Sequence, residues 1–132
     1  MPTNPRNAYM QASVSTAGPQ ALLLMLCDRL VLDVQRAAAA HVAGDVAKTH
    51  QHLVHAQAIV SELATSLDPD GFSGGHQLAE LYRYLLSVLV AANVRKDPRR
   101  IAEGLSLSTS IAEIWREAAA VIARTPLARA SA

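Results

Sequence analysis

The stretch Thr16-Ala17-Gly18-Pro19-Gln20-Ala21-Leu22-Leu23-Leu24-Met25-Leu26-Cys27-Asp28 decides how this chain folds. Pro19 suits the first helical position, where its missing N–H would have no partner in any case, and Gly18 can serve as the N-cap. Leu22, Leu26, Leu30 and Val34 then recur at helical spacing, and Leu23, Cys27 and Val31 widen the stripe. Leu24, Met25 and Leu32 fall on flanking or opposite positions. A helix that is apolar most of the way round must be covered on most sides, by its own chain or by a partner.

Outward from this helix the chain reads as more of the same. Helix one is expected from Pro19 to about Val42, with Gly44 just past its end. Asp45 caps a second helix reaching to about Leu67, whose buried stripe is Leu53, Ala56, Ile59 or Val60, and Leu63. Asp68-Pro69-Asp70-Gly71-Phe72-Ser73-Gly74-Gly75 is a loop by composition. A third helix follows to about Val94 on a seam of Leu78, Leu81, Tyr82, Leu85, Leu89 and Ala92. Asp97-Pro98 opens a fourth, with Ile101, Leu105, Ser108, Ile111, Trp115, Ala118 and Ile122 as its seam. No stretch alternates with the two-residue period of a strand. Four helices of similar length on two short links and one longer loop predict an all-α, antiparallel up-down-up-down four-helix bundle. Residues 1–15 read as an N-terminal arm with a helical turn around Ala8 to Ala12, residues 16–123 as the bundle, and residues 124–132 as a flexible tail.

Composition narrows the function. A chain of 132 residues is most simply one domain, and a formal charge of +1 makes no case for nucleic acid. The single cysteine, Cys27, sits inside an apolar helix, which excludes a disulfide framework and fits a reducing compartment. The N-terminus lacks the apolar run of a secretory signal, and Asp28 and Arg29 interrupt the longest apolar run, so the expected location is the cytoplasm without direct membrane insertion.

Three groups invite a catalytic or metal reading. Gly71-Phe72-Ser73-Gly74-Gly75 matches the G-x-S-x-G pattern, but a nucleophile elbow needs a strand leading in, and here a helix does. His50, His52 and His55 lack carboxylate or cysteine company at useful spacing, so they read as polar residues on a wet helix face rather than metal ligands. Acidic pairs are absent from the apolar faces. The expectation is therefore no catalytic residue, no metal and no cofactor. Surplus apolar surface remains: Leu86, Val88 and Val90 on helix three, Leu107 and Ile114 on helix four. Such an excess suits a groove that takes an amphipathic helical segment, with the arm and Tyr9 able to cover it when empty.

The same residues carry a family resemblance. Ala8-Tyr9-Met10-Gln11, then Leu22 to Asp28 after Gly18-Pro19, then Ala56 to Leu63, then Leu81-Tyr82-Arg83-Tyr84-Leu85 with Leu89-Val90-Ala91-Ala92-Asn93, and finally Lys96-Asp97-Pro98 with Ala112 to Ala118, follow one another at characteristic spacing. In this order the chain resembles the flagellar secretion chaperone FliS family from about Ala8 to Ala118. The resemblance implies a cytoplasmic, non-enzymatic export chaperone. It would bind the disordered C-terminal segment of flagellin along apolar grooves, prevent premature polymerisation and assist delivery to a membrane protein of the flagellar type III export gate. It also implies partner-binding roles for Tyr9, Leu22, Met25, Leu26, Tyr82, Leu85, Leu89 and Asn93. Cys27 departs from the tyrosine usual in the family, and Arg83 from an aspartate. The alternative is an interaction protein on the same bundle that self-associates, for instance as a homodimer, through its surplus apolar patch.

Overall fold

The computed structural model describes residues 5–124, with side chains from Gly18 onward. These residues form four helices and no strand: α1 (Pro5–Val42), α2 (Val46–Ser66), α3 (Gly75–Arg95) and α4 (Pro98–Arg124). α1 packs on α2 and α4, and α3 packs on α2 and α4, leaving the two diagonal pairs apart. Contacts descend one helix as they climb its neighbour. Asp28 and Val34 of α1 meet Arg116 and Gly104 of α4, while Tyr82 and Leu89 of α3 meet Trp115 and Gly104. The bundle is thus a square of four helices around one core.

Local chemistry sets the helix ends. Gly18 is non-helical (φ 84°, ψ 174°) and the helix resumes at Pro19, the geometry expected of a cap followed by a first-turn proline. The backbone upstream is already helical from Pro5, longer than the single turn expected there, because Ala8, Met10, Gln11 and Ala12 all tolerate a helix well. The side chain of Tyr9 and the residues of the tail from 125 onward lie outside what is described. At the other end of α1, Gly44 (φ 74°) donates to the His41 carbonyl and Asp45 N–H to the Ala40 carbonyl, the paired bonds of a Schellman stop. The Asp45 carboxylate then accepts from Lys48 N–H at 3.0 Å, and Asp97 accepts from Arg99 N–H at 2.9 Å, so both aspartates act as N-caps.

The core of α1 is Cys27, Leu30, Val34 and Ala37, with Leu23, Leu26 and Val31 packed partly against it. The i+4 row read from sequence fades toward the N-terminal side: Val34 and Leu30 are fully buried, Leu26 is half-buried and Leu22 is 36% exposed. Each i+4 step turns about 40° past the 3.6-residue period, so by Leu22 the row has rotated roughly 120° out of the core. Val88, expected beyond the α3 seam, is buried instead, because it lies one turn from both Leu85 and Ala92 on the same face. In α4, Gly104 is buried while Leu105, expected in the seam, is only partly buried. A Cβ at Gly104 would come within 2.9 Å of Leu89 Cδ2, so the missing side chain lets α4 lie close to α3.

Asp33 is a charged side chain in the interior, fully buried between α1 and α2. Its Oδ1 accepts from Arg29 Nε at 3.0 Å, and its Oδ2 pairs with His55 Nδ1. Among the described residues no buried side-chain nitrogen or oxygen lacks a partner. Burying a carboxylate is costly unless it is fully paired, so this group links the two helices at the expense of desolvation. Burial also raises the Cys27 thiol to a pKa of about 11, keeping it protonated and unreactive.

Two substitutions check this account by urea denaturation. Gly75→Ala would drive a Cβ to 2.1 Å from the Pro69 carbonyl oxygen, and it should destabilise the bundle by about 1–3 kcal/mol or more. His55→Ala should cost about 1–3 kcal/mol by leaving Asp33 half-paired, whereas the double change Asp33→Leu, His55→Leu should be close to neutral or stabilising.

Candidate functional site

At the end of the bundle where α2 hands over to α3, an apolar cleft of about 310 Å³ opens to the surface. Pro19 and Leu23 of α1, Leu63 and Leu67 at the end of α2, and Phe72 of the loop form its walls, with Tyr82 and Trp115 beneath. Ser66 and Asp68 supply a polar edge. The sequence builds this shape because α2 stops at Ser66, and the loop turns back on itself before α3. Asp68 fastens that turn: its carbonyl accepts from Gly71 N–H at 3.1 Å and its carboxylate from Asp70 N–H at 3.1 Å.

The aromatic groups are mutually fixed. Trp115 Nε1 donates to Tyr82 Oη at 2.7 Å, tying α4 to α3. Phe72 meets the Trp115 ring edge-on, with centroids 5.7 Å apart at 65°. Tyr82 is 1% exposed, and burial raises its phenol to a pKa of about 12, opposed by the Trp115 hydrogen bond. Phe72 is 44% exposed and also borders a second depression of about 240 Å³ with Leu78, Leu81 and Ile114. The two hollows flank one ring. Together they offer adjoining apolar surface from Leu23 on α1 to Ile114 on α4, suited to apolar side chains at helical spacing.

The residues expected to bind a partner divide unevenly over this surface. Leu22, Met25 and Leu26 are not among the residues lining the cleft: Leu22 is exposed on the same turn as Leu23, and Met25 and Leu26 are half-buried. Tyr82 is the cleft floor. Leu85 and Leu89 are fully buried core, because the α3 seam points at the bundle axis, so they present no surface. Asn93 sits about 16 Å further along α3 by helical rise. There it bonds to His50 of α2 and to the Lys96 ammonium. From sequence, Phe72 is a loop residue, Trp115 part of the α4 seam, Leu63 part of the α2 stripe and Leu67 a helix end, and none marks a site. The signal available was that Phe72 and Trp115 are the only phenylalanine and tryptophan in the chain, the former in a glycine-rich loop.

The other singled-out groups are held in structural contacts. Ser73 lies in the turn before α3, while its neighbour His76 bonds to Asp70 at 2.7 Å. His50 and His55 face different helices, α3 and α1, so the histidines do not converge. Arg83 pairs with Glu80 at 2.8 Å on the same helix. No helix among the described residues is long and apolar enough to cross a membrane.

Fold and cleft together define a helical-bundle interaction protein. The model of a family described as flagellar protein FliS matches residues 2–122. Three relatives carry the name flagellar secretion chaperone FliS. The protein from Bacillus subtilis is 32% identical over 87% of this chain and 86% of its own length. Those from Salmonella typhimurium and Campylobacter jejuni are 35% and 30% identical, covering 83% and 84% of this chain and 86% and 88% of their own lengths. The chain belongs to the FliS family of flagellar secretion chaperones, and its role is that of a chaperone in flagellar export.

Tyr82→Phe tests the aromatic arrangement. It should lower stability by about 0.5–1.5 kcal/mol through loss of the Trp115 bond. With its folded pKa raised, Tyr82 contributes stability that is complete below pH 10 and lost as pH rises toward 12. Alkaline titration of unfolding free energy should therefore fall less steeply across that window in Tyr82→Phe than in the parent.

Proposed function

We propose that this chain is a cytoplasmic export chaperone for flagellin. It binds the disordered C-terminal segment of flagellin as helical turns on the apolar surface around Phe72 and Trp115, prevents premature polymerisation and assists delivery to the export gate. The observation that supports this reading most directly is the aromatic cleft itself. It leaves Phe72 and, in the adjoining hollow, Ile114 partly exposed in a family of flagellar secretion chaperones. Leu22, Met25 and Leu26 border the bound segment, Tyr82 supports it from beneath, and Leu85 and Leu89 hold α3 in position from the core. Asn93 marks the far limit of the footprint. Residues 1–15, with Tyr9, cap the surface when it is empty.

The physical logic is coupled folding. A disordered client gains apolar burial on a preformed surface and gives back several kcal/mol in ordering, which keeps the complex reversible. Chemistry on the client is not required, and we assign none.

Calorimetric titration of the purified protein with a flagellin C-terminal peptide tests the proposal. One-to-one binding with a negative heat-capacity change and new helicity is expected, with a shift in the fluorescence of Trp115, the chain's single tryptophan. The double variant Phe72→Ala, Ile114→Asp should weaken binding at least tenfold while keeping the native circular dichroism. No heat and no new helicity from folded protein would overturn the reading and favour self-association of the bundle as a homodimer.

A further inference from the structure

The charges of this bundle are sorted along its length. Near the aromatic cleft the described arginines are neutralised: Arg116 by Asp28 at 2.6 Å, Arg83 by Glu80 at 2.8 Å, and Arg124 by Glu117 at 3.6 Å. At the opposite end, where α1 meets α2 and α3 meets α4, Arg100 alone of the described cations has an ion pair, with Glu103 at 3.0 Å. Lys48, Arg95 and Arg99 are exposed and make no ion pair among the described residues. Arg100 shares Glu103 with Tyr84, whose hydroxyl bond holds the Glu103 carboxyl below its ordinary range. The other two acids here, Asp45 and Asp97, are committed to capping backbone N–H groups. Lys48, Arg99 and Arg100 moreover occupy the first turns of α2 and α4, where the helix pole is itself positive and neither helix places an acidic residue. Local stability argues against cations at these positions, and departures of that kind concentrate where function requires them.

The same end is apolar between its charges. Val42, Val46 and Val94 are 89%, 64% and 78% exposed. Beside them a recess of about 210 Å³ lies between α1 and α4, walled by Ala38, Val42, Pro98, Ile101 and Leu105. Its mouth adjoins Arg99 and Arg100 in sequence and on the first turn of α4.

We infer that this end is a second docking surface, for an acidic polypeptide segment that seats an apolar side chain in the α1–α4 recess and sets carboxylates on Lys48, Arg95, Arg99 and Arg100. The inference does not depend on the client proposed for the aromatic cleft. α3 spans about 30 Å at 1.5 Å per residue from the aromatic cleft to this end, and the footprint proposed for the client stops at Asn93, short of Arg95. Carboxylates would supply the countercharge that the chain withholds, and electrostatic complementarity of this sort speeds and orients encounter. A lipid surface fits less well. Membrane-surface elements carry Trp, Phe or Leu on the buried face, whereas the exposed apolar groups here are valines, and Phe72 and Trp115 lie at the other end. Nucleic acid fits less well too: the exposed aromatic nearest these cations, Tyr84, has its hydroxyl tied to Glu103, and that carboxylate within the patch opposes a phosphate backbone.

The experiment uses the full chain and a fluorescein-labelled helical peptide of glutamate and leucine, with the lysine–leucine peptide of the same pattern as comparison. The acidic peptide should bind, lose affinity as salt rises from 50 to 300 mM, and bind at least tenfold more weakly to Arg95→Glu, Arg99→Glu. Reversing the charge of Arg83 at the far end (Arg83→Glu) should leave the affinity unchanged. All three positions are exposed, and circular dichroism and thermal melting verify that each variant is folded. Equal binding of both peptides, no difference between the parent and Arg95→Glu, Arg99→Glu, or loss with Arg83→Glu would overturn the inference. So would flotation with phosphatidylserine–phosphatidylcholine vesicles in the absence of acidic-peptide binding, which would assign the surface to a membrane.

Discussion

Everything in this structure follows from the obligation to hide one helix. The stripe Cys27, Leu30, Val34 and Ala37 must leave water, and removing a large aliphatic side chain from solvent is worth about 1.5–3 kcal/mol. One neighbouring helix cannot cover it. α2 covers one side and α4 the other, and α3 closes the square because its own seam, from Leu78 to Ala92, needs both of them. Gly104 makes the closure tight, since a Cβ there would meet Leu89 Cδ2 at 2.9 Å and force that side chain to shift. The buried Asp33 fits this frame as a pin between α1 and α2, held from both sides by Arg29 and His55.

The bundle cannot be equally well sealed along its whole length, and the cleft lies where it is not. α2 ends at Ser66 while α4 continues to Arg124, so the ends of α1 and α4 outrun the helix that should cover them. The loop from Asp68 folds back only far enough to set Phe72 against Trp115. Apolar side chains that the bundle cannot bury are then displayed on a floor made rigid by the Trp115–Tyr82 hydrogen bond. For a flagellar export chaperone such a preformed platform is useful, because the ordering cost of association falls on the disordered partner alone.

Charge follows a different rule from apolar surface. The described arginines near the cleft are tied up in pairs, while Lys48, Arg95 and Arg99 at the other end stay available. A net charge of +1 conceals this division entirely. Sums over a chain report solubility, whereas recognition depends on which charges are neighbours after folding.

The helices, their caps and the character of the fold were legible in the chain. Gly18-Pro19, Asp45 and Asp97-Pro98 act at helix ends as their chemistry requires, and the stripe of α2 is the one its periodicity describes. The family motifs were legible too, because they rest on residue order. What sequence could not decide was the direction of each side chain relative to three neighbours. Leu22 rotates out of the core and Val88 into it. Leu85 and Leu89 point at the axis, and Gly104 is buried while Leu105 is only partly buried. The cleft joins residues from α1, α2, the loop, α3 and α4, and the pairing of Asp33 with His55 crosses 22 positions. Periodicity is a property of one helix, and a helix carries it alone. A site is a property of the angles at which several helices meet, and only packing in three dimensions sets those.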